Sequence, residues 1–112
     1  MSDLEDRVLD VLRALTPGEV VSYGDVAEDA GLPGRARAVG RILATTAEPV
    51  PWWRVVTSNG RLVPGHEAQQ AGRLRSEGVV VRGGRVVAAP IGRFAAPTPP
   101  APPRSRRPPR SA

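Results

Sequence analysis

The sequence contains no cysteine and only one histidine, His66. A thiolate nucleophile, a disulfide and a cysteine metal site are therefore excluded, and one histidine cannot supply a multi-histidine metal centre. There is no apolar run of about 18 residues, the length a membrane span needs, and the acidic, amphipathic start MSDLEDRVLD does not resemble a signal peptide. We therefore expect a cytoplasmic protein with no cofactor, associated with the nucleoid in a prokaryote or placed in the nucleus of a eukaryote.

Lysine is also absent, because all 16 basic residues are arginine. Residues 1–94 carry 12 arginines against 11 acidic residues, a net charge of +1, and the other four arginines lie in the last 18 residues, which contain no acid. The sequence pI of about 11.4 is therefore largely a property of the C-terminus. Exclusive use of arginine fits codon bias as well as phosphate binding, so net charge alone does not establish nucleic-acid binding.

The composition changes sharply near residue 95. Residues 95–112 are rich in proline and arginine and have no hydrophobic period, which predicts a disordered tail. Such a tail attracts polyanions weakly or serves as a dispensable solubilising segment. The remaining residues, 1–94, are expected to form one domain.

The hydrophobic spacing predicts helices over about 3–15, 23–30, 34–45 and 67–77, the last with Ala68, Ala71 and Leu74 facing inward. The second and third helices are separated by a short glycine-containing break, as in a helix-turn-helix. Hairpins are predicted over 54–63, turning at Asn59-Gly60, and over 79–88, turning at Gly83-Gly84. The expected fold is mainly α with small β elements, a winged helix-turn-helix.

Three arginines, Arg35, Arg37 and Arg41, lie in or beside the N-terminal half of the third predicted helix. They suit either a DNA-contacting face or an ordinary solvated one. Gly40 lies inside the same helix, where glycine costs about 1 kcal/mol relative to alanine. A close backbone approach, to DNA or to another element, would explain it.

Both tryptophans are adjacent, in the segment VPWWRVV. An indole offers a flat apolar surface for stacking on a ligand, but core packing explains Trp52 and Trp53 equally well at this level. Arg54 suits a phosphate contact or a bond to backbone carbonyls. Tyr23, the only tyrosine, is either a functional residue or a core aromatic.

Four blocks, VSYGDVA, RARAVGRIL, VPWWRVVTSNGRL and RLRSEGV, occur in this order over about residues 3–82. Together they resemble the DNA-binding C-terminal domain of O6-alkylguanine DNA alkyltransferases. In those enzymes the turn reads Pro-Cys-His-Arg-Val, and the cysteine accepts the alkyl group. Trp52 stands at the cysteine position, which is the mark of the alkyltransferase-like proteins, whose usual turn is Pro-Trp-His-Arg-Val.

The resemblance implies roles for individual residues. Tyr23 matches the tyrosine that rotates the phosphate 3′ of the target nucleotide, and Arg37 matches the finger that fills the gap left by the everted base. Gly40 matches a glycine of the recognition helix, while Arg35 or Arg41 would hold flanking phosphates. The implied lesion pocket comprises Trp52, Trp53, Arg54 and Val55, with Arg54 chiefly structural.

The sequence departs from the family pattern at several positions. Trp53 replaces a histidine of the transferases' Cys-His-Glu relay, so we expect Glu77 to be only a structural acceptor. No arginine stands in the loop VPGHEA where some relatives place one against the alkylated base, which leaves Arg61 or His66 as substitutes. The family asparagine before the turn is not evident, and Thr45 and Thr46 lie in that region.

The function implied by the resemblance is that of a non-enzymatic, monomeric sensor. It would bind O6-alkylguanine in double-stranded DNA by nucleotide flipping and pass the lesion to nucleotide excision repair proteins. The alternative is a winged-helix regulator that reads DNA sequence without recognising lesions. A third hypothesis, alkyl transfer without cysteine, has no acid/base pair or metal cluster to support it.

Overall fold

The computed structural model describes residues 3–95, so the predicted tail lies outside the described residues apart from its first residue. Four helices, α1 to α4, and five short strands, β1 to β5, follow the order α1 Asp3–Arg13, β1 Glu19–Ser22, α2 Tyr23–Asp29, α3 Ala36–Thr45, β2 Val55–Val56, α4 Glu67–Ser76, β3 Val80–Arg82, β4 Arg85–Ala88 and β5 Ile91–Gly92. A 3-10 turn, Trp52–Arg54, precedes β2, and we call it the tryptophan turn.

The predicted helix-turn-helix is confirmed, and local sequence explains how it begins. Ser22 caps α2 by accepting a hydrogen bond from the Asp25 amide at 3.0 Å, and the Asp25 carboxylate accepts one from the Ser22 amide at 3.0 Å. This reciprocal arrangement is a capping box. Between α2 and α3 the chain reverses through Gly31 and Gly34, whose φ angles of 79° and 82° suit glycine.

The hairpin predicted over 54–63 is wrong. β2 pairs in parallel with β1, with Val55 opposite Val21 and Val56 opposite Ser22, and β1 also pairs with β5 to give the strand order β2-β1-β5. The turn at Asn59-Gly60 does form, because the Gly60 amide donates to the Thr57 carbonyl at 2.8 Å. The chain leaving that turn joins the second hairpin instead, through a bridge between Arg61 and Arg85.

The second predicted hairpin is confirmed as β3 and β4, which are antiparallel with Arg82 opposite Arg85. Gly83 and Gly84 make the turn, with φ angles of 58° and 73°, as a type I′ turn requires. We call β3, β4 and their turn the wing. Helix-turn-helix and wing together give the expected fold class, mainly α with small β elements.

The apolar core has two clusters on either side of β1. Val21 belongs to the cluster formed with α1, α2 and α3, whereas Val20 belongs to the cluster formed with α4 and the wing. In α4, Ala71 and Leu74 are buried as predicted, but Ala68 is exposed, and the fully buried side chain of Gln70 takes an inward position instead. Within residues 3–95, none of the helices has the length and apolarity needed to cross a membrane.

Gly92 allows β5 to lie against β1, and its replacement should destabilise the protein. Its φ is 94°, and a Cβ at this position would collide with the carbonyl of Val20. We expect Gly92→Ala to lower the free energy of unfolding by about 1–3 kcal/mol. The control is Gly72→Ala, at an exposed position of α4 where a Cβ meets nothing within 4 Å. Helix propensity predicts that this change raises the free energy of unfolding by up to about 1 kcal/mol. Denaturant unfolding that ranks Gly92→Ala above Gly72→Ala would contradict this assignment.

Candidate nucleic-acid interface

The tryptophan turn presents its two indoles at right angles. The ring centroids of Trp52 and Trp53 lie 6.2 Å apart with an interplanar angle of 88°. The turn is held locally, because the Trp52 amide donates to the Val50 carbonyl at 2.8 Å and the Arg54 amide donates to the Pro51 carbonyl at 3.1 Å. Both indoles are half-buried, so neither is an ordinary core residue.

Trp52 lies in the wall of an open cavity of about 410 Å³ beside α3. We call this space the helix cavity; its lining comprises Tyr23, Gly40, Leu43, Ala44, Trp52, Val63, His66 and Gln69. The His66 ring centroid is 6.0 Å from that of Trp52. Among the described residues, the indole N–H of Trp52 has no hydrogen-bond partner. A half-buried indole with a free N–H is a surface that can receive a planar ligand.

A second cavity, of about 600 Å³, lies against the tryptophan turn and includes both tryptophans, Arg54 and Arg73 in its lining. Trp52 and Leu43 line this turn cavity as well as the helix cavity. The indole of Trp52 is therefore a wall shared by two spaces.

Trp53 is both a cavity wall and a core contact. It packs against the cluster formed by α4 and the wing, and its Nε1 donates to Oε2 of Glu77 at 2.9 Å. The guanidinium carbons of Arg73 and Arg54 lie 4.5 Å and 5.2 Å from the ring centroid, within the range of cation–π attraction. The two tryptophans therefore differ in their indole N–H groups, because among the described residues only that of Trp53 has a hydrogen-bond partner.

Glu77 accepts hydrogen bonds from three residues, Gly18, Trp53 and Arg54, as its predicted structural role requires. Arg54 grips its carboxylate with two bonds, Nε to Oε1 at 3.0 Å and Nη2 to Oε2 at 2.8 Å, and the Gly18 amide donates to Oε1 at 2.9 Å. Nη1 of Arg54 also donates to the Leu15 carbonyl at 2.9 Å. The side chains of Arg54 and Glu77 are only 11% and 13% exposed, so this is a largely buried ion pair.

These contacts set the ionisation of Glu77. Burial alone would raise its pKa, but the hydrogen bonds from Arg54, Gly18 and Trp53, together with the charge of Arg54, lower the pKa from 4.5 to about 2. Glu77 is therefore a fixed anion at neutral pH. With its donors in place, it holds the tryptophan turn to the end of α4.

Val55 does not belong to the predicted lesion pocket. It is completely buried in the core cluster around α1, α2 and α3 and lines neither cavity. The physical reason is its place in β2, where its pairing with Val21 directs the strand into the interior. Arg54 does line the turn cavity, but its guanidinium is bound to Glu77.

Gln70 is a positioning residue that the sequence analysis did not identify. Its Nε2 donates to the carbonyls of Trp53 and Val55 at 3.1 Å and 3.2 Å, and its Oε1 accepts from the Val63 amide at 2.7 Å. It thus connects the tryptophan turn to the loop that carries His66. Its spacing in the sequence could have revealed it, because Gln70 lies one turn before Leu74 on the inward face of α4, where an amide side chain is unusual.

Tyr23 and Gly40 meet at the helix cavity. A Cβ on Gly40 would lie 3.9 Å from two ring atoms of Tyr23, an ordinary van der Waals distance. The protein itself therefore leaves room for a methyl group, and a need for glycine would come from an outside molecule. Tyr23 is half-buried, and this burial raises the pKa of its hydroxyl, which keeps the group neutral at physiological pH.

The three arginines near α3 are all exposed: Arg35 precedes the helix, and Arg37 and Arg41 lie on it. None of them makes an ion pair or side-chain hydrogen bond with another described residue. Of the two residues proposed to contact an alkylated base, His66 lines the helix cavity, whereas Arg61 lines neither cavity. The hydroxyls of Thr45 and Thr46 bond the backbone at the end of α3, to the Arg41 carbonyl and the Glu48 amide.

The family model of the 6-O-methylguanine DNA methyltransferase DNA-binding domain matches residues 3–79. The chain belongs to this family. It is similar to a DNA base-flipping protein of Vibrio parahaemolyticus, with 35% identity over 67% of this chain and 79% of the relative. A cysteine methyltransferase acting on methylated DNA, from Mycobacterium leprae, is 41% identical over 55% of this chain, which spans only 39% of that enzyme.

The alkyltransferase-like protein 1 of Schizosaccharomyces pombe is 32% identical over 72% of this chain and 81% of its own length. A crystal structure of S. pombe Atl1 in complex with damaged DNA containing O6-carboxymethylguanine matches with a TM-score of 0.67 at 32% identity. The alignment covers 73% of this chain and 82% of that one. The predicted resemblance to alkyltransferase-like proteins is thereby confirmed.

The Glu77 network predicts a pH-dependent stability. Because the folded-state pKa of about 2 lies below the ordinary value of 4.5, ionised Glu77 stabilises the fold above about pH 4.5, and this contribution is lost as the pH falls towards 2. We expect Glu77→Gln to cost about 3 kcal/mol at pH 7, since it leaves the Arg54 charge buried. The difference from wild type should shrink in urea unfolding at successively lower pH.

The matched control is Glu28→Gln, because Glu28 is exposed on α2 and should change stability little at any pH. A wild-type advantage over Glu77→Gln that stays constant down to pH 2 would show that the Glu77 charge does not produce the stabilisation.

Proposed function

We propose that this protein recognises O6-alkylguanine in double-stranded DNA by everting the nucleotide into the helix cavity, and that it leaves the alkyl group in place. The observation that carries the proposal is Trp52, a half-buried indole with a free N–H in the wall of that cavity. It stands at the position of the family's acceptor cysteine, and the chain has no cysteine at all. The chain can therefore contribute binding at this point but no thiolate.

The recognition helix in this proposal is α3, lying in the minor groove. Its free, exposed arginine Arg37 enters the stack and pairs with the orphaned base, while Arg35 and Arg41 bind flanking phosphates. Tyr23, in the lining of the helix cavity, turns the phosphate of the target nucleotide. The absence of a Cβ on Gly40 lets the DNA backbone approach where the protein itself leaves space. The base-flipping relative and the Atl1 complex with damaged DNA support this assignment.

Selectivity arises from two contributions. Eversion costs a few kcal/mol of stacking and pairing, and the cost is lower for a damaged base that pairs poorly. Apolar side chains in the cavity, Trp52, Leu43 and Val63, then bury the alkyl group, at about 0.8 kcal/mol for each buried methylene. Of Arg61 and His66, the proposal assigns the contact with the base edge to His66, supported by its position beside Trp52. Larger adducts have further space in the turn cavity, which Trp52 also lines.

The downstream step belongs to the same proposal. Minor-groove insertion kinks DNA, and a kinked duplex held by a small monomeric protein is a signal that nucleotide excision repair proteins can read. The protein would act wherever the chromosome lies, in the cytoplasm of a prokaryote or in a eukaryotic nucleus. The competing reading is a winged-helix regulator that recognises DNA sequence, and the free arginines of α3 fit it as well.

Binding to matched duplexes separates the two functions. We expect tighter binding to a duplex with one O6-methylguanine than to the same duplex with guanine, and the adduct should be intact afterwards by mass spectrometry. Equal binding to both duplexes with strong dependence on flanking sequence would support the regulator, and loss of the methyl group would reveal an enzyme.

Arg37→Ala should weaken binding of the modified duplex by about 1–3 kcal/mol, because the stack would lose the side chain that fills it. The control is Arg7→Ala, which removes the same charge from an arginine that faces Asp3 on α1. Fluorescence anisotropy with both variants measures the difference. An Arg37→Ala affinity equal to that of Arg7→Ala would exclude the finger role.

Trp52→Cys should not create a methyltransferase. Trp53 occupies the place of the relay histidine, and its indole N–H can donate a hydrogen bond but cannot accept a proton. The Glu77 carboxylate is already held by Arg54, Trp53 and Gly18. Intact-protein mass spectrometry after incubation with O6-methylguanine DNA should show no added methyl group, as for the control Trp52→Ala. A stoichiometric mass gain in Trp52→Cys alone would refute this.

A further inference from the structure

The arginines of this protein divide into engaged and free ones. Among residues 3–95, four arginines form ion pairs, Arg7, Arg13, Arg54 and Arg93. Arg75 donates to the Val81 carbonyl at 2.8 Å, and Arg73 lies over the Trp53 ring. The other six have no ion pair or side-chain hydrogen bond with a described residue, and they fall in two places. Three are the arginines near α3, and three are Arg61, Arg82 and Arg85.

The second group is assembled by β pairing. Arg82 and Arg85 are direct cross-strand partners next to the wing's glycine turn, and Arg61 is bridged to Arg85 from the neighbouring loop. All three are exposed. Like charges in opposed positions of a sheet are destabilising, and no acidic residue follows Glu77 in the chain to offset them. We call these three residues the wing cluster.

We propose that the wing cluster is a second DNA contact, which binds the phosphate backbone beside the everted nucleotide. Three exposed arginines in paired β positions suit phosphate oxygens, and the Gly83-Gly84 turn has no side chain to hold the backbone away. This inference rests on the proposed DNA binding but not on lesion recognition. It assigns to the wing a function separate from that of α3.

The position of the cluster argues for the same duplex. Arg61 is two residues from Val63, which lines the helix cavity, and two residues span at most about 7 Å. A phosphate near the mouth of that cavity is therefore within reach of a long arginine side chain at position 61. Arg85 and Arg82 extend this row of arginines through β pairing with Arg61 and with each other, so that a neighbouring stretch of DNA backbone can meet them.

Phosphate contacts have a measurable signature, because each one that forms releases counterions. The slope of log affinity against log salt should become shallower by about 0.9 for each phosphate contact removed. We expect this change in Arg82→Gln and in Arg85→Gln, and a larger one when Arg61→Gln is combined with both. Over a fourfold rise in salt, each lost contact corresponds to about threefold less loss of affinity. The preference for modified over unmodified DNA should stay as in wild type, since phosphate contacts carry no base information.

The matched control is Arg7→Gln, which makes the same change in net charge on α1 and should leave the slope unchanged. Thermal unfolding of each variant verifies that the wing remains folded, and Gln preserves the aliphatic part of the side chain. Salt-dependence slopes equal to wild type in all wing variants would overturn the proposal. This is also the result expected if the wing binds a protein and not DNA. Shallower slopes in a protein that shows no lesion preference would support the wing contact while refuting the proposed lesion recognition.

Discussion

The buried ion pair between Arg54 and Glu77 holds the site together. Glu77 lies at the end of α4, Arg54 lies in the tryptophan turn, and the same two side chains reach Gly18 and the carbonyl of Leu15. These contacts join the segment after α1 to the turn and to α4, across the boundary between the two apolar clusters. Since removing one partner would leave a buried charge unpaired, the position of both indoles depends on this pair.

The resemblance places Trp53 where the transferases have a relay histidine, and this exchange would change what that pair can do. A neutral histidine both donates and accepts hydrogen bonds and can pass a proton, whereas an indole N–H only donates. In this chain the indole donates to Glu77, and its ring lies beside the guanidinium groups of Arg54 and Arg73. The hydrogen bond between Trp53 and Glu77 is therefore a fixed structural contact and not a path for a proton. The free N–H of Trp52, by contrast, leaves the neighbouring indole available to a ligand.

Sequence reasoning located what local signals encode. The helices and the Gly83-Gly84 turn each depend on residues a few positions apart, and both were predicted. The parallel pairing of Val21 with Val55 was not, because the partners lie far apart in sequence and both belong to short valine pairs without a directional signal. The placement of Val55 in the pocket came from the resemblance, which does not reveal that this residue enters the core in β2. Gln70 was missed because its partners are backbone groups brought close only by the tertiary fold.

Gln70 lies on α4 and Glu77 directly follows the last residue of that helix, seven positions along the chain, or roughly 10 Å at the rise of an α-helix. Gln70 is hydrogen-bonded to the tryptophan turn and to the loop that carries His66. Glu77 is hydrogen-bonded to the same turn through Arg54 and Trp53. The distance between Trp52 and His66 therefore depends on this one helix. The surface loops can therefore change in sequence without altering that distance, provided that α4 and the hydrogen bonds of Gln70 and Glu77 are retained.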